Sequence, residues 1–167
     1  MTQEVKRNYL EITSLNDLKE SNKPTEDYSL NLIDPVDFQL NKFFYKNIGK
    51  KHRWIDRLIW NESKWIEYTT NKNVKTYILK KKEDLIGYFE LIFHQEKKEI
   101  EIAYFGLLEE YHNKKLGSHL LSMAIKKSFL DKPSRVWLHT CSLDHKNALS
   151  NYLARGMKIF RKEIVSI

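Results

Sequence analysis

Cysteine is nearly absent. Cys141 is the one thiol in 167 residues, which excludes an intrachain disulfide and leaves no Cys pattern for a redox framework. His139, Asp144 and His145 stand near it with metal-capable side chains, but their spacing fits no standard zinc set, so no metal is expected. Long apolar runs are missing as well. No window reaches the roughly 18 uninterrupted apolar residues of a membrane helix, and Met1 to Arg7 lacks the apolar core of a secretion signal. The expectation is a cytoplasmic protein that does not engage a membrane. There is no linker, internal repeat or low-complexity tract, so a single domain over residues 1–167 is predicted, a usual size for one core.

Charge and aromatic mass are plentiful. The formal charge of +7 can serve a nucleic acid, an acidic small molecule or solubility alone. The lysines are scattered and many sit beside acidic residues in turns, as in Lys80 to Asp84 and Glu96 to Glu99. No nucleic-acid motif accompanies them, which makes nucleic acid the weakest partner class.

In chain order, residues 5–12 read as a short strand or an extension, and 14–23 as a helix or loop. Tyr28 to Ile33 reads as a strand. Asp34-Pro35 signals a helix start and Gly49 its stop, with Val36, Leu40, Phe43, Phe44 and Asn47 as the inner stripe. Trp54 to Thr69 follows as one helix, or as two broken near Asn61. Residues 38–68 hold eight aromatics, Phe38, Phe43, Phe44, Tyr45, Trp54, Trp60, Trp65 and Tyr68, which suit either the packing of two helices or a ligand box. From Val74 the pattern alternates. Three strands, 74–80, 85–93 and 99–105, are joined by short charged turns and should form an antiparallel meander, with Gly87 marking a bulge. A helix from Lys115 to about Leu130, a strand at 136–141, a helix near 146–155 and a last strand at 158–165 complete a mixed α/β (α+β) sheet flanked by helices.

The stretch from Glu99 to Leu130 organises the rest. Strict alternation places Ile100, Ile102 and Tyr104 on one face of its strand and Glu99, Glu101 and Ala103 on the other. The loop Tyr111 to Ser118 then runs into a segment where Leu116, Leu120 and Ala124 recur at helical spacing. The first N–H groups of a helix lack intrahelical partners and carry the positive end of its dipole, so such a loop, with Lys114 and Lys115, suits an anion such as phosphate. Gly117 inside the helix start points to a close approach by another group, or is a chance feature of an ordinary amphipathic helix.

The run from Glu101 to Leu121, with His112, Lys115 and Gly117 in its loop, resembles the central motif of the GNAT N-acetyltransferase superfamily. There the loop reads Arg/Gln-x-x-Gly-x-Gly/Ala and cradles the pyrophosphate of acetyl-coenzyme A. His112 takes the Arg/Gln slot, Lys115 the first Gly slot and Gly117 the second, so two of three positions depart from the pattern. Ala148-x-x-x-Tyr152-x-x-x-Gly156-Met157 resembles the family's second hallmark, Ala-x-x-x-Tyr-x-x-x-Gly-Phe, with His145 where an Asn is common. The resemblance covers about residues 74–165. It implies a GNAT-like, mostly antiparallel sheet with helices on both faces, a cofactor-binding core over 74–165, and acceptor-side helices over about 35–70.

What the resemblance implies for the site is specific. Acetyl-coenzyme A would be the donor and an unidentified amine the acceptor, in a ternary complex with direct attack. Tyr104, Phe105, Gly106 and Leu107 would meet the pantetheine arm, His112, Asn113, Lys114, Lys115, Leu116, Gly117 and Ser118 the pyrophosphate, and His145 and Ala148 would lie alongside. Glu101 stands where histone-type members carry their general base, and Tyr152 where a phenol protonates the departing thiolate. Retained fold without turnover, as an acyl-coenzyme A sensor or scaffold, is the alternative. A homodimer is compatible with the sequence.

Overall fold

A computed structural model describes residues 2–167. In chain order the elements are β1 (Glu4–Ile12), β2 (Ser29–Leu32), α1 (Phe38–Gly49), α2 (Glu62–Thr69), β3 (Val74–Lys81), β4 (Asp84–His94), β5 (Glu99–Leu107), α3 (Leu116–Phe129), β6 (Arg135–Cys141), α4 (Ala148–Ala154) and β7 (Lys158–Ser166). The strands form one sheet in the order β2-β3-β4-β5-β6-β1-β7. Every pairing is antiparallel except β5 with β6. The first strand in sequence is therefore the sixth in space, between β6 and β7, a placement that no local pattern in residues 4–12 encodes.

Helices lie on both faces because both faces are apolar over β3 to β5. On one, Leu116, Leu120, Leu121, Ala124 and Ile125 of α3 pack with Phe89, Leu91, Ile100, Ile102, Val136 and Leu138. On the other, Phe44 and Ile48 of α1 pack with Ile78 and Tyr88. The two cores share the sheet backbone and no buried strand side chain, as the period of two in each strand requires; Tyr111, in the loop after β5, packs against both.

Three local expectations are corrected. The N-cap of α1 is Asp37, whose carboxylate accepts from the Gln39 N–H at 2.9 Å, so Asp34-Pro35 lies outside the helix. The inner stripe of α1 is Asn41, Phe44, Tyr45 and Ile48, rotated from the apolar reading; Asn41 is inside because it hydrogen-bonds buried Thr76 and Glu90, while Val36 and Phe43 are exposed. The chain breaks at Asn61 as expected, with Asn61 capping α2, but Trp54 to Trp60 forms turns. The Gly87 bulge is present: Ile86 is the extra residue between the pairs Leu79–Gly87 and Lys80–Leu85.

A second bulge matters more. Glu90 pairs with Tyr104 and Leu91 with Ile102, so Ala103 has no partner on β4. An extra residue reverses the faces of everything beyond it. Tyr104 therefore shares the α1 face with Glu101, and Phe105 joins Ile100 and Ile102 against α3 and α4, the opposite of what strict alternation predicts.

Candidate active site

β5 and β6 pair only from Glu99–Arg135 to Glu101–Trp137. From Ile102 onward the two strands carry no mutual ladder, and a cleft of about 1190 Å³ opens there. It passes from the α3 face to the α1 face. Glu101, Tyr104, Phe105, Gly106, Leu107, His112, Asn113, Lys115, Leu116, Gly117, Ser118, His145, Ala148 and Tyr152 all line it. Lys114 alone of the expected set stands apart, with its ammonium over the Tyr111 ring.

The loop into α3 adopts the shape that glycines usually supply. Asn113 and Lys115 both have positive φ, 65° and 60°, a left-handed conformation that costs a non-glycine residue about 1 kcal/mol. Lys115 is the N-cap of α3 and makes no side-chain cap bond, so the first turn keeps its backbone donors. Gly117 opens on the cleft. A Cβ there would stand 3.8 Å from Asn151 Nδ2 and 3.9 Å from Leu107 Cδ1, ordinary contacts, so no protein atom demands glycine. The space beside it fits a ligand that follows the helix start. These residues fit the donor nucleotide expected from sequence.

Three histidines that the sequence scatters meet here. His112 and His145 rings lie 4.9 Å apart and His52 and His145 6.5 Å apart. Each is tied to backbone: His112 Nε2 to the Leu107 carbonyl at 3.1 Å, His52 Nδ1 to the Leu143 carbonyl at 3.1 Å, while His145 Nδ1 accepts from the Asn147 N–H at 3.1 Å. Burial, then the neighbouring His112 and His52, hold His145 below the ordinary histidine value. Asp144 does not cap α4. Its carboxylate accepts from Thr140 Oγ1 at 2.5 Å and from the Cys141 N–H at 3.0 Å, which closes the turn after β6. Burial pushes the Cys141 thiol up, against a thiolate nucleophile.

Tyr152 and Glu101 reach the cleft from opposite faces of the sheet. Tyr152, on α4, packs edge-on against Phe105 with centroids 6.3 Å apart, and burial raises its phenol well above the ordinary value. Glu101 is 15% exposed, and its Oε1 lies 3.0 Å from His94 Nε2. His94, to which the sequence assigns no role, stacks on Trp137 with centroids 5.8 Å apart.

Below this, the aromatic cluster is occupied by the protein itself. Arg57 sits over Tyr68 at 4.2 Å, Tyr104 at 4.4 Å and Trp60 at 4.9 Å, with Tyr45 and Trp65 within 6 Å. Its guanidinium forms two 2.8 Å bonds to Glu90, which also accepts from Asn41 and Tyr68. Burial works against the Arg57 charge, and the Glu90 carboxylate outweighs it and holds the group charged. The box is a core with a cation inside it. No run of residues could have revealed that, since a lone Arg among turn residues looks solvent-bound.

Comparison with known proteins bears on the family and the fold. The model of the acetyltransferase (GNAT) family matches residues 39–157. Among solved structures, a GCN5-related N-acetyltransferase from Sphaerobacter thermophilus superposes with a TM-score of 0.72 at 11% identity, covering 97% of this chain and 50% of that one. A conserved protein of unknown function from Staphylococcus epidermidis has a TM-score of 0.68 at 18% identity, covering 98% and 61%. A GNAT family acetyltransferase from Streptococcus pneumoniae has a TM-score of 0.59 at 14% identity, covering 79% and 88%. At these identities the likeness shows the fold, and the chain spans half to three fifths of the length of the first two. No curated protein matches the sequence.

Proposed function

Because the chain belongs to the acetyltransferase (GNAT) family, we propose that it transfers an acetyl group from acetyl-coenzyme A to a primary amine by direct attack. Membership supports acyl transfer in general. The observation that carries the finer reading is the splay of β5 from β6, which brings Glu101 and Tyr152 from opposite faces into one cleft beside an uncapped helix start.

The His112 to Ser118 loop, without Lys114, would hold the pyrophosphate on the α3 donors, and Tyr104 to Leu107 the arm, with His145 and Ala148 on its far side. The donor supplies an activated thioester. On the α1 face Glu101 takes the proton of the incoming ammonium on the oxygen that His94 leaves free. His94 is a positioning residue, since its Nε2–H fixes the other oxygen and its ring is braced by Trp137. Backbone N–H groups around the Ala103 bulge stabilise the developing oxyanion. Tyr152, kept protonated by burial, gives its proton to the thiolate as the C–S bond breaks, and the second proton that the newly acylated nitrogen must lose restores the phenol.

The test is thiol release from acetyl-coenzyme A across a panel of amines. Amine-dependent release that Tyr152→Phe slows supports the reading. Binding of the donor with no release from any amine would leave the sensor reading in its place.

A further inference from the structure

The acceptor side of the cleft carries cations that the reaction as drawn does not use. Strand register puts Arg7 on the α1 face: Arg7 pairs with Cys141 and Tyr9 with His139, whose face is that of Trp137, the partner of Glu101. Arg7 and Arg53 both line the cleft on this side. The Arg7 side chain is only 26% exposed, and its guanidinium makes no hydrogen bond among the described residues. Its Nε is buried without a partner. The nearest carboxylate, Glu163, stands 3.6 Å away and is already committed to the Tyr9 hydroxyl at 2.6 Å and to Arg161 at 2.9 Å. Arg53 reaches only the neutral Gln3 side chain, at 3.1 Å. Of the carboxylates that line the cleft, Glu101 is held by His94, Asp144 by Thr140 and the Cys141 N–H, and Asp56 stands in the wall of the α1–α2 segment.

Resting on the acetyltransferase reading above, we infer that the acceptor is an amine that also bears a carboxylate, with the amine at Glu101 and the carboxylate at Arg7, aided by Arg53. A guanidinium fork that the fold covers and, among the described residues, leaves without a hydrogen bond, its one ion pair being the 3.6 Å approach to an already shared Glu163, matches a carboxylate in shape and charge. The same two cations repel an acceptor with several ammonium groups. Register sets the reach: Arg7 lies two strands from Glu101, about 10 Å across the sheet, and four residues further along β6, about 13 Å, so the backbones stand about 16 Å apart, a gap that the two side chains must lean together to narrow to the span of an amino acid or a short peptide end.

The experiment uses products, so that binding is read without turnover. N-acetyl-L-leucine and N-isopentylacetamide differ only by the carboxylate, and each is titrated by calorimetry into the protein with coenzyme A present. The acid should bind at least about tenfold more tightly. Arg7→Gln should abolish that preference, and Arg7→Lys, which keeps the charge, should retain part of it. Equal binding, no binding of either compound, or a preference that survives Arg7→Gln overturns the inference. Failure of the enzyme reading looks different: thiol release absent from every amine while the acid preference persists. Conversely, turnover of spermidine without any acid preference would keep the acetyltransferase and remove this acceptor class.

Discussion

Glu90 and Glu101 sit on adjacent strands and the same sheet face, next to each other's ladder partners, yet their surroundings give them opposite uses. Glu90 is fully covered, and four bonds from Arg57, Asn41 and Tyr68 occupy its oxygens. Glu101 has one side-chain bond, to His94, and faces the cleft. A carboxylate with every lone pair committed holds a core together; one held at a single oxygen has the other left to face a substrate. The difference lies in what covers the sheet. The α1–α2 segment folds Arg57 and its ring cage over Glu90 and stops short of Glu101.

Breaking the Glu90 side should cost most. Arg57→Ala leaves a buried carboxylate unpaired and is expected to lower stability by about 3–5 kcal/mol in urea unfolding. The apolar pair Arg57→Met with Glu90→Leu should recover much of that loss. Glu101→Gln should do the reverse: unfolding unchanged within about 0.5 kcal/mol, donor binding unchanged, and turnover down about 10²-fold in steady-state kinetics. Next comes His94→Phe, which keeps a ring on Trp137 and removes the donor. It should lower kcat about tenfold at constant KM, and His94→Gln should restore most of it. The smallest effect is at His145. Its folded pKa lies below the ordinary value, so the unfolded chain takes the proton first and stability falls as pH drops from about 6.5. His145→Asn should flatten the fall of Tm between about pH 7 and pH 5. Some slope will remain, because His139 is lowered in the same sense.

Much of this was legible in order of locality. The β3–β4–β5 meander, the helix at Leu116 and the loop before it follow from periodicity and turn chemistry within a few residues of each other. Two things escaped. The Ala103 bulge leaves the composition of β5 unchanged and exists only in its pairing with β4, so alternation put Tyr104 and Phe105 on the wrong faces. Partners distant in sequence were invisible for a related reason: Arg57 with Glu90, His94 with Glu101, and Arg7 on a strand that lodges between β6 and β7. Side chains identical in type were separated only by what the tertiary fold brings to them.

The most direct test is calorimetric titration of the protein with acetyl-coenzyme A, alongside Gly117→Trp, which fills the open space at the α3 start. The account predicts binding of about micromolar strength that the indole abolishes while the variant melts as the wild type does. Failure of the folded wild type to bind, or equal binding by the variant, would contradict a donor site in the cleft between β5 and β6.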